Sequence, residues 1–288
     1  MSEAVIDTGA MRRLLGTVVA VLIVGAGCTA GSDDGSDDAT PPTPTPSRSV
    51  AAPVTLDSLN LDWPDTEGVL ETGELPDAPD GFDDQLLARM AEVLSEWAAV
   101  TTVDSATWSS ASPIDDLAGV VPDEVGDGLR DLSEDAVSPR LAVGNVFGDG
   151  VEVVGEPKVT TAWRVSTESD DDGQEYVLLE LQTRAAYEVK RDGGPSRVIG
   201  VLRVHGLSAY PETTDDFGVS AGWQEFGAGS CSLAVDDALV PDNDVAKTTG
   251  ELRTFVEVGD GDEVEMPDLG DEQRVDAEYL QRCRDSMT

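Results

Sequence analysis

One histidine, three cysteines and three lysines are the scarcest chemical resources of this 288-residue chain. With His205 standing alone, a multi-histidine metal site cannot be assembled, and any Ser-His-Asp triad would have to use that residue. Basic side chains are few as a class: 18 Lys plus Arg stand against 58 Asp plus Glu, a formal net charge of −40. Phosphate backbones and anionic lipid headgroups repel so acidic a chain, which excludes nucleic acid as a partner and membrane attachment by charge. No run of about 20 apolar residues exists, because the longest one, Leu14 to Gly27, is closed off by Arg13 on one side and by the Asp33-Asp34 region on the other. A membrane-spanning helix is therefore not expected.

What is present begins with that short run. Arg12 and Arg13 precede it, small residues close it, and Cys28 follows at once. The pattern resembles the lipobox of bacterial lipoproteins, in which the thiol receives a diacylglycerol and the chain is cut just before the cysteine; Gly25 stands where that motif usually carries a bulky aliphatic residue. The resemblance implies a signal peptide over residues 1–27, a lipidated Cys28 as first residue, and a lipid-anchored protein on the extracytoplasmic face of the cell membrane. Glu3 and Asp7 are unusual in a signal's basic leader, so initiation at Met11 is an alternative to Met1. Two acyl chains hold a protein stably, and lipid must do the anchoring where charge opposes it. In an exported protein, one lipidated cysteine leaves Cys231 and Cys283 to pair as a disulfide.

Residues 28–56 are mostly Gly, Ser, Asp, Thr and Pro, with Pro41-Pro-Thr-Pro-Thr-Pro46 at the centre, and they read as a tether holding a folded body off the bilayer. An irregular lead-in follows, with Leu56, Leu59, Leu61 and Trp63 as its docking points. After Asp80, a candidate N-cap, Phe82, Leu86, Met90, Leu94, Trp97 and Val100 recur at spacings of three and four and predict a long amphipathic helix. Pro113 to Leu117 and Pro122 to Leu132 read as two short helices, the second opening on proline.

Beyond Pro139 the apolar period drops to two. Strands are expected at Leu141 to Phe147, Val151 to Ser166 with Pro157 marking a bulge or an edge, Tyr176 to Lys190, Arg197 to Leu207 and Ala221 to Val235. In the clearest of them Val177, Leu179, Leu181, Thr183, Ala185, Tyr187 and Val189 form a dry face opposite a wet one. In the next, Val198, Leu202 and Val204 are read as inward. Residues 241–288 are expected to form a hairpin, Leu252 to Val258 against Glu263 to Met266, and a final helix, Asp271 to Met287, docked on the sheet by the disulfide.

The fold class is thus α+β: a long amphipathic helix on a curved antiparallel sheet of four or more strands, filling residues 57–240, with a C-terminal helix. This element order, with Ala186-Tyr-Glu-Val189 in the long strand and an arginine-bearing strand after it, resembles the nuclear-transport-factor-2-like or cystatin-like roll found in lipoproteins of high-GC Gram-positive bacteria. That resemblance implies a cone-shaped space between helix and sheet, a space that serves enzymes, carriers and structural modules alike.

Candidate chemistry is sparse. His205 shares a strand side with Arg203, opposite the apolar face as the pattern is read; it is first a solvated or hydrogen-bonded structural histidine, and as an alternative it could form with Arg203 and with Arg184 on the neighbouring strand a polar, anion-attracting patch. Gly227-Ala-Gly-Ser-Cys231 does not match the nucleophile elbow G-x-S-x-G, and the acidic runs at Asp170 to Asp172 and Asp260 to Glu265 do not match the calcium loop. Trp97, Trp108, Trp163, Tyr187 and Trp223 either pack the core or line a ligand cavity. No cofactor and no metal is implied. The sequence supports a non-enzymatic, lipid-anchored module that binds or scaffolds an envelope component; the alternatives are a lipid or small-ligand carrier and, third, an enzyme.

Overall fold

A computed structural model describes residues 54–257 and 277–287, apart from 65, 137, 214 and 215. Cys28, the tether up to residue 53, the expected strand Glu263 to Met266 and the expected first turn of the last helix lie outside the described residues. Among those described, eight α-helices and five strands form an α+β fold with an open antiparallel sheet. None of these helices is long and apolar enough to cross a membrane.

The sheet is a meander. Strands β1 (Val151–Val153) and β2 (Lys158–Ser169) both pair with β3 (Glu175–Arg191), which pairs with β4 (Arg197–Ala209), which pairs with β5 (Gly218–Phe226). Between Val153↔Val189 and Lys158↔Ala186 four residues oppose two, so the chain bulges where Gly155 (φ +72°) and Pro157 interrupt it, as expected of that proline. The turn joining β3 to β4 places Asp192 and Gly193 at φ +50° and +69° and closes with Gly194 N–H donating to the Arg191 carbonyl, the primed turn geometry that suits twisted hairpins.

Helix α2 (Asp84–Thr102) lies on one face of the sheet. Its N-cap falls three residues after Asp80, because the Asp83 carboxylate accepts from the Gln85 amide at 2.8 Å. Leu86, Met90, Leu94 and Trp97 pack against Val177, Leu179, Leu181 and Leu207, as the spacing requires. Helices α3 (Pro113–Ala118) and α4 (Asp123–Asp135) open on prolines as anticipated and extend this layer.

The other face of the sheet is drier than alternation suggests. Helix α1 (Leu56–Leu59), Trp63 and helix α7 (Val245–Glu257) cover its middle with a second cluster in which Ala186, Val198, Leu202, Phe226, Leu252 and Phe255 are buried. Leu56, Leu59 and Leu61 pack against it, so the lead-in docks through the apolar residues expected of it. The wet face of β3 survives only toward its ends.

Three expected strands are corrected. Leu141 to Phe147 is not a strand: Pro139–Val143 forms helix α5, whose first amides, Arg140 and Leu141, donate to the Asp237 carboxylate at 2.6 and 3.2 Å. That cap comes from 97 residues away, beyond the reach of local pattern. Ala221 to Val235 holds β5 only as far as Phe226; Gly227 at φ +80° turns the chain, and helix α6 (Ser230–Asp236) follows. Leu252 to Glu257 belongs to α7, because Thr248, Leu252 and Phe255 share one helical face and Asp244 accepts from the Ala246 and Lys247 amides.

Cys231 in α6 and Cys283 in helix α8 (Ala277–Met287) form a disulfide, with 5.1 Å between Cα atoms. It docks α8 on α6 rather than on the sheet. Cys283 is the one described side chain of α8 that is fully buried. Replacing both cysteines, which stand 52 positions apart, by serine is expected to lower stability by about 2–4 kcal/mol in the loop-entropy picture. Amide exchange should show α8 losing protection first while β3 and β4 keep theirs; equal loss in all three would contradict this.

Candidate functional site

The three residues expected to make a polar patch part company in the fold. Cross-strand partners place Arg203 opposite Thr183 and His205 opposite Leu181, on the face that α2 covers. Both are sealed, at 2 % and 1 % exposure. Arg184 pairs with Leu202 on the opposite face, where its guanidinium lies over the Trp63 ring at 5.0 Å. The reading of Val198, Leu202 and Val204 as the single inward face of β4 is corrected by the same geometry: odd residues face α2, even residues face α1 and α7, and both sides of the strand's middle are buried.

Arg203 is the hub of a buried polar network. Its Nε donates to Asn145 Oδ1 at 2.6 Å, one terminal nitrogen donates to the Leu141 and Gly144 carbonyls at 2.6 and 2.5 Å, and the other reaches the Ala142 carbonyl at 3.4 Å. Those carbonyls are the ones α5 leaves without helical partners at its end, so the guanidinium caps that helix from the sheet. Asn145 Nδ2 then donates to the Tyr187 hydroxyl at 2.7 Å, and that hydroxyl donates to the Thr102 carbonyl at the end of α2. Two helix C-termini are thereby tied to β3 and β4 through three polar side chains. Burial lowers the Arg203 pKa to about 10 and pushes the Tyr187 phenol well above its ordinary value, so Tyr187 is neutral. Asn145 and the Tyr187 hydroxyl were not legible as site residues; the one local sign is an asparagine inside the apolar stretch Leu141 to Phe147.

His205 sits beside this network. Its Nδ1 lies 3.1 Å from the Leu181 carbonyl, which can only accept, so Nδ1 carries the proton and Nε2 is a bare acceptor. Among the described residues Nε2 has no hydrogen-bond partner, and neither does Trp97 Nε1, although the two rings meet edge to face with centroids 4.8 Å apart. Desolvation, with Arg203 nearby, depresses the imidazole pKa to about 3. A neutral histidine sealed from solvent has no route for exchanging protons with a substrate.

The sign of its linkage follows. Between pH 3 and 6.5 the unfolded chain binds a proton that the folded one refuses, so stability rises with pH across that window and the full contribution is present above it. His205→Phe is expected to flatten the acid limb, removing up to about 1.4 kcal/mol of slope per pH unit when urea unfolding of variant and parent is compared from pH 4 to pH 6.5. Parallel curves would contradict the assignment.

The aromatic set is divided in the same way. Trp97 and Tyr187 fill the space between α2 and the sheet, Trp163 donates to the Gly73 carbonyl at 3.1 Å, and Trp223 lies under Arg203 at 6.0 Å. Trp108 meets Phe147 and Tyr187 edge-on and forms one wall of a surface cleft of about 580 Å³. Arg140, Arg191, Asp149 and Asp236 also line the cleft. Arg140 is held there by the Ser110 and Asp236 carbonyls at 2.8 and 3.5 Å, so the opening carries two cations and two anions without a neighbouring histidine. No group of three or more His, Cys, Asp or Glu among the described residues is arranged to hold a metal ion. No protein-family model matches the chain, and neither the curated proteins nor the solved structures yield a match.

Proposed function

We propose that this chain is a lipid-anchored, extracytoplasmic module that binds or scaffolds another component of the cell envelope and catalyses no reaction. The observation that carries the reading is the allocation of the three cysteines: Cys231 and Cys283 are joined, and Cys28 stands alone directly after a short apolar run. Such an allocation fits an oxidising compartment and a thiol reserved for lipid. The interior adds support, since Arg203 and Tyr187 are engaged in holding helix ends and Trp97 and Met90, at 1 % and 0 % exposure, fill the space where a carrier would hold its cargo.

Expression in a bacterium with the full lipoprotein pathway tests the anchor. The mature chain should begin at Cys28 with the mass of a diacylglycerol added and should partition into detergent, and Cys28→Ala should abolish both; an unlipidated chain would overturn it. Photo-cross-linking in the native membrane tests the binding role, with a discrete adduct to one envelope component expected and its absence counting against the proposal.

A further inference from the structure

The chain treats the two edges of its sheet differently. Along β2 the lead-in acts as a cover: the Val159 amide donates to the Pro64 carbonyl, Lys158 Nζ to the Trp63 carbonyl and Thr161 Oγ1 to the Glu71 carbonyl, at 3.1 to 3.3 Å. The bulge at Pro157 interrupts the same edge. Among the described residues strand β5 has neither such a backbone cover nor a bulge. It is the last strand of the sheet, it reads Gly-Val-Ser-Ala-Gly-Trp-Gln-Glu-Phe without lysine, arginine or proline, and no described strand pairs with its outer side. Natural edges are normally blunted by such residues or by a cover, because unpaired amides and carbonyls are a template for another strand.

Which groups point outward follows from alternation. Glu188 turns its carbonyl toward the β1 side, where it accepts from the Val154 amide, so even residues of β3 face that way and odd ones face β4. Carried through the cross-strand pairs, even residues of β5 face β4, and the amides of Val219, Ala221 and Trp223 face outward. Ser220 and Ala221 are exposed.

Charge selects the occupant. Helix α4, which packs across β5, carries Asp123, Glu124, Asp127, Asp131 and Glu134 against Arg130 alone, and Glu225 lies on the strand itself. A second copy would bring a further −40 to this edge and be repelled, whereas a basic segment is drawn to it. We propose that the outer edge of β5 is the partner-docking surface of this chain and takes an extended, lysine- or arginine-bearing segment of another protein as an added strand.

The inference rests on the partner-binding reading, and the test separates the two. The probe is the peptide acetyl-Lys-Val-Lys-Val-Lys-Val-Lys-amide, added to the full chain, with amide exchange read residue by residue. Val219, Ala221 and Trp223 should exchange freely in the isolated chain and gain at least tenfold protection with the peptide, while a Glu-for-Lys peptide should give none. Ala221→Pro removes an outward N–H that the β4 pairing does not use, so the variant should fold and bind the peptide at least tenfold more weakly. Protection of the three amides in the isolated chain, protection gained elsewhere, a dimer that depends on Ala221, or undiminished binding by folded Ala221→Pro would each overturn the inference; if that variant fails to fold, the exchange pattern of the parent decides. In the native membrane, an adduct that Ala221→Pro leaves unchanged sinks the β5 edge and spares the partner-binding reading, and no adduct at all sinks both.

Discussion

Arg203→Met is expected to destabilise the protein by about 3–5 kcal/mol, the range for removing one partner from a buried charged network. The loss comes less from the guanidinium than from what it leaves behind. Asn145 Oδ1 and the Leu141 and Gly144 carbonyls would be buried without donors, and the end of α5 would lose its cap. Arg203→Lys should recover only part, because an ammonium cannot present three nitrogens in a plane to four acceptors on separate residues. Urea unfolding of the three chains at neutral pH measures this; a lysine variant as stable as the parent would show that charge, and not the fork, is what the site needs.

Trp97→Ala should cost a similar amount, about 3–5 kcal/mol, through the cavity left between α2 and the sheet. It carries a second, independent readout. Trp97 seals His205 edge-on, so water entering the cavity would solvate Nε2 and the imidazole pKa should climb from about 3 toward its ordinary 6.5. Because His205 is the only histidine, a single carbon or nitrogen resonance reports the titration without ambiguity. A large loss of stability with the imidazole still untitrated at pH 5 would mean that the core collapses around the gap.

The elements that local pattern could find were those whose cause is local. The stripe on α2, the alternation of β3, the bulge at Pro157 and the proline-led helices α3 and α4 are each written within about 15 consecutive residues. The errors have long-range causes. Helix α5 reads as a strand because its cap, Asp237, and the arginine that donates to its terminal carbonyls lie far along the chain. The face assignment of β4 failed because alternation tells which residues share a side and not which side is buried; here α2 buries one side and α1 and α7 bury the other. That is why Arg203 and His205, read as a polar patch with Arg184, are interior groups beneath α2.

The sequence by itself determined the charge and the chemical inventory of this protein, and it is the source of the address proposed for it. A short apolar run ending in Cys28, a charge of −40, one histidine and three cysteines are one-dimensional properties, and each excludes whole classes of chemistry without reference to any fold. Only the tertiary structure decided what the polar residues do, because a guanidinium is an anion site, a helix cap or a sealed charge according to which carbonyls surround it. It also decided which edge of the sheet has no further described strand paired to it. Strand order, and the path of the lead-in along β2, are pairings between distant residues that no local window contains.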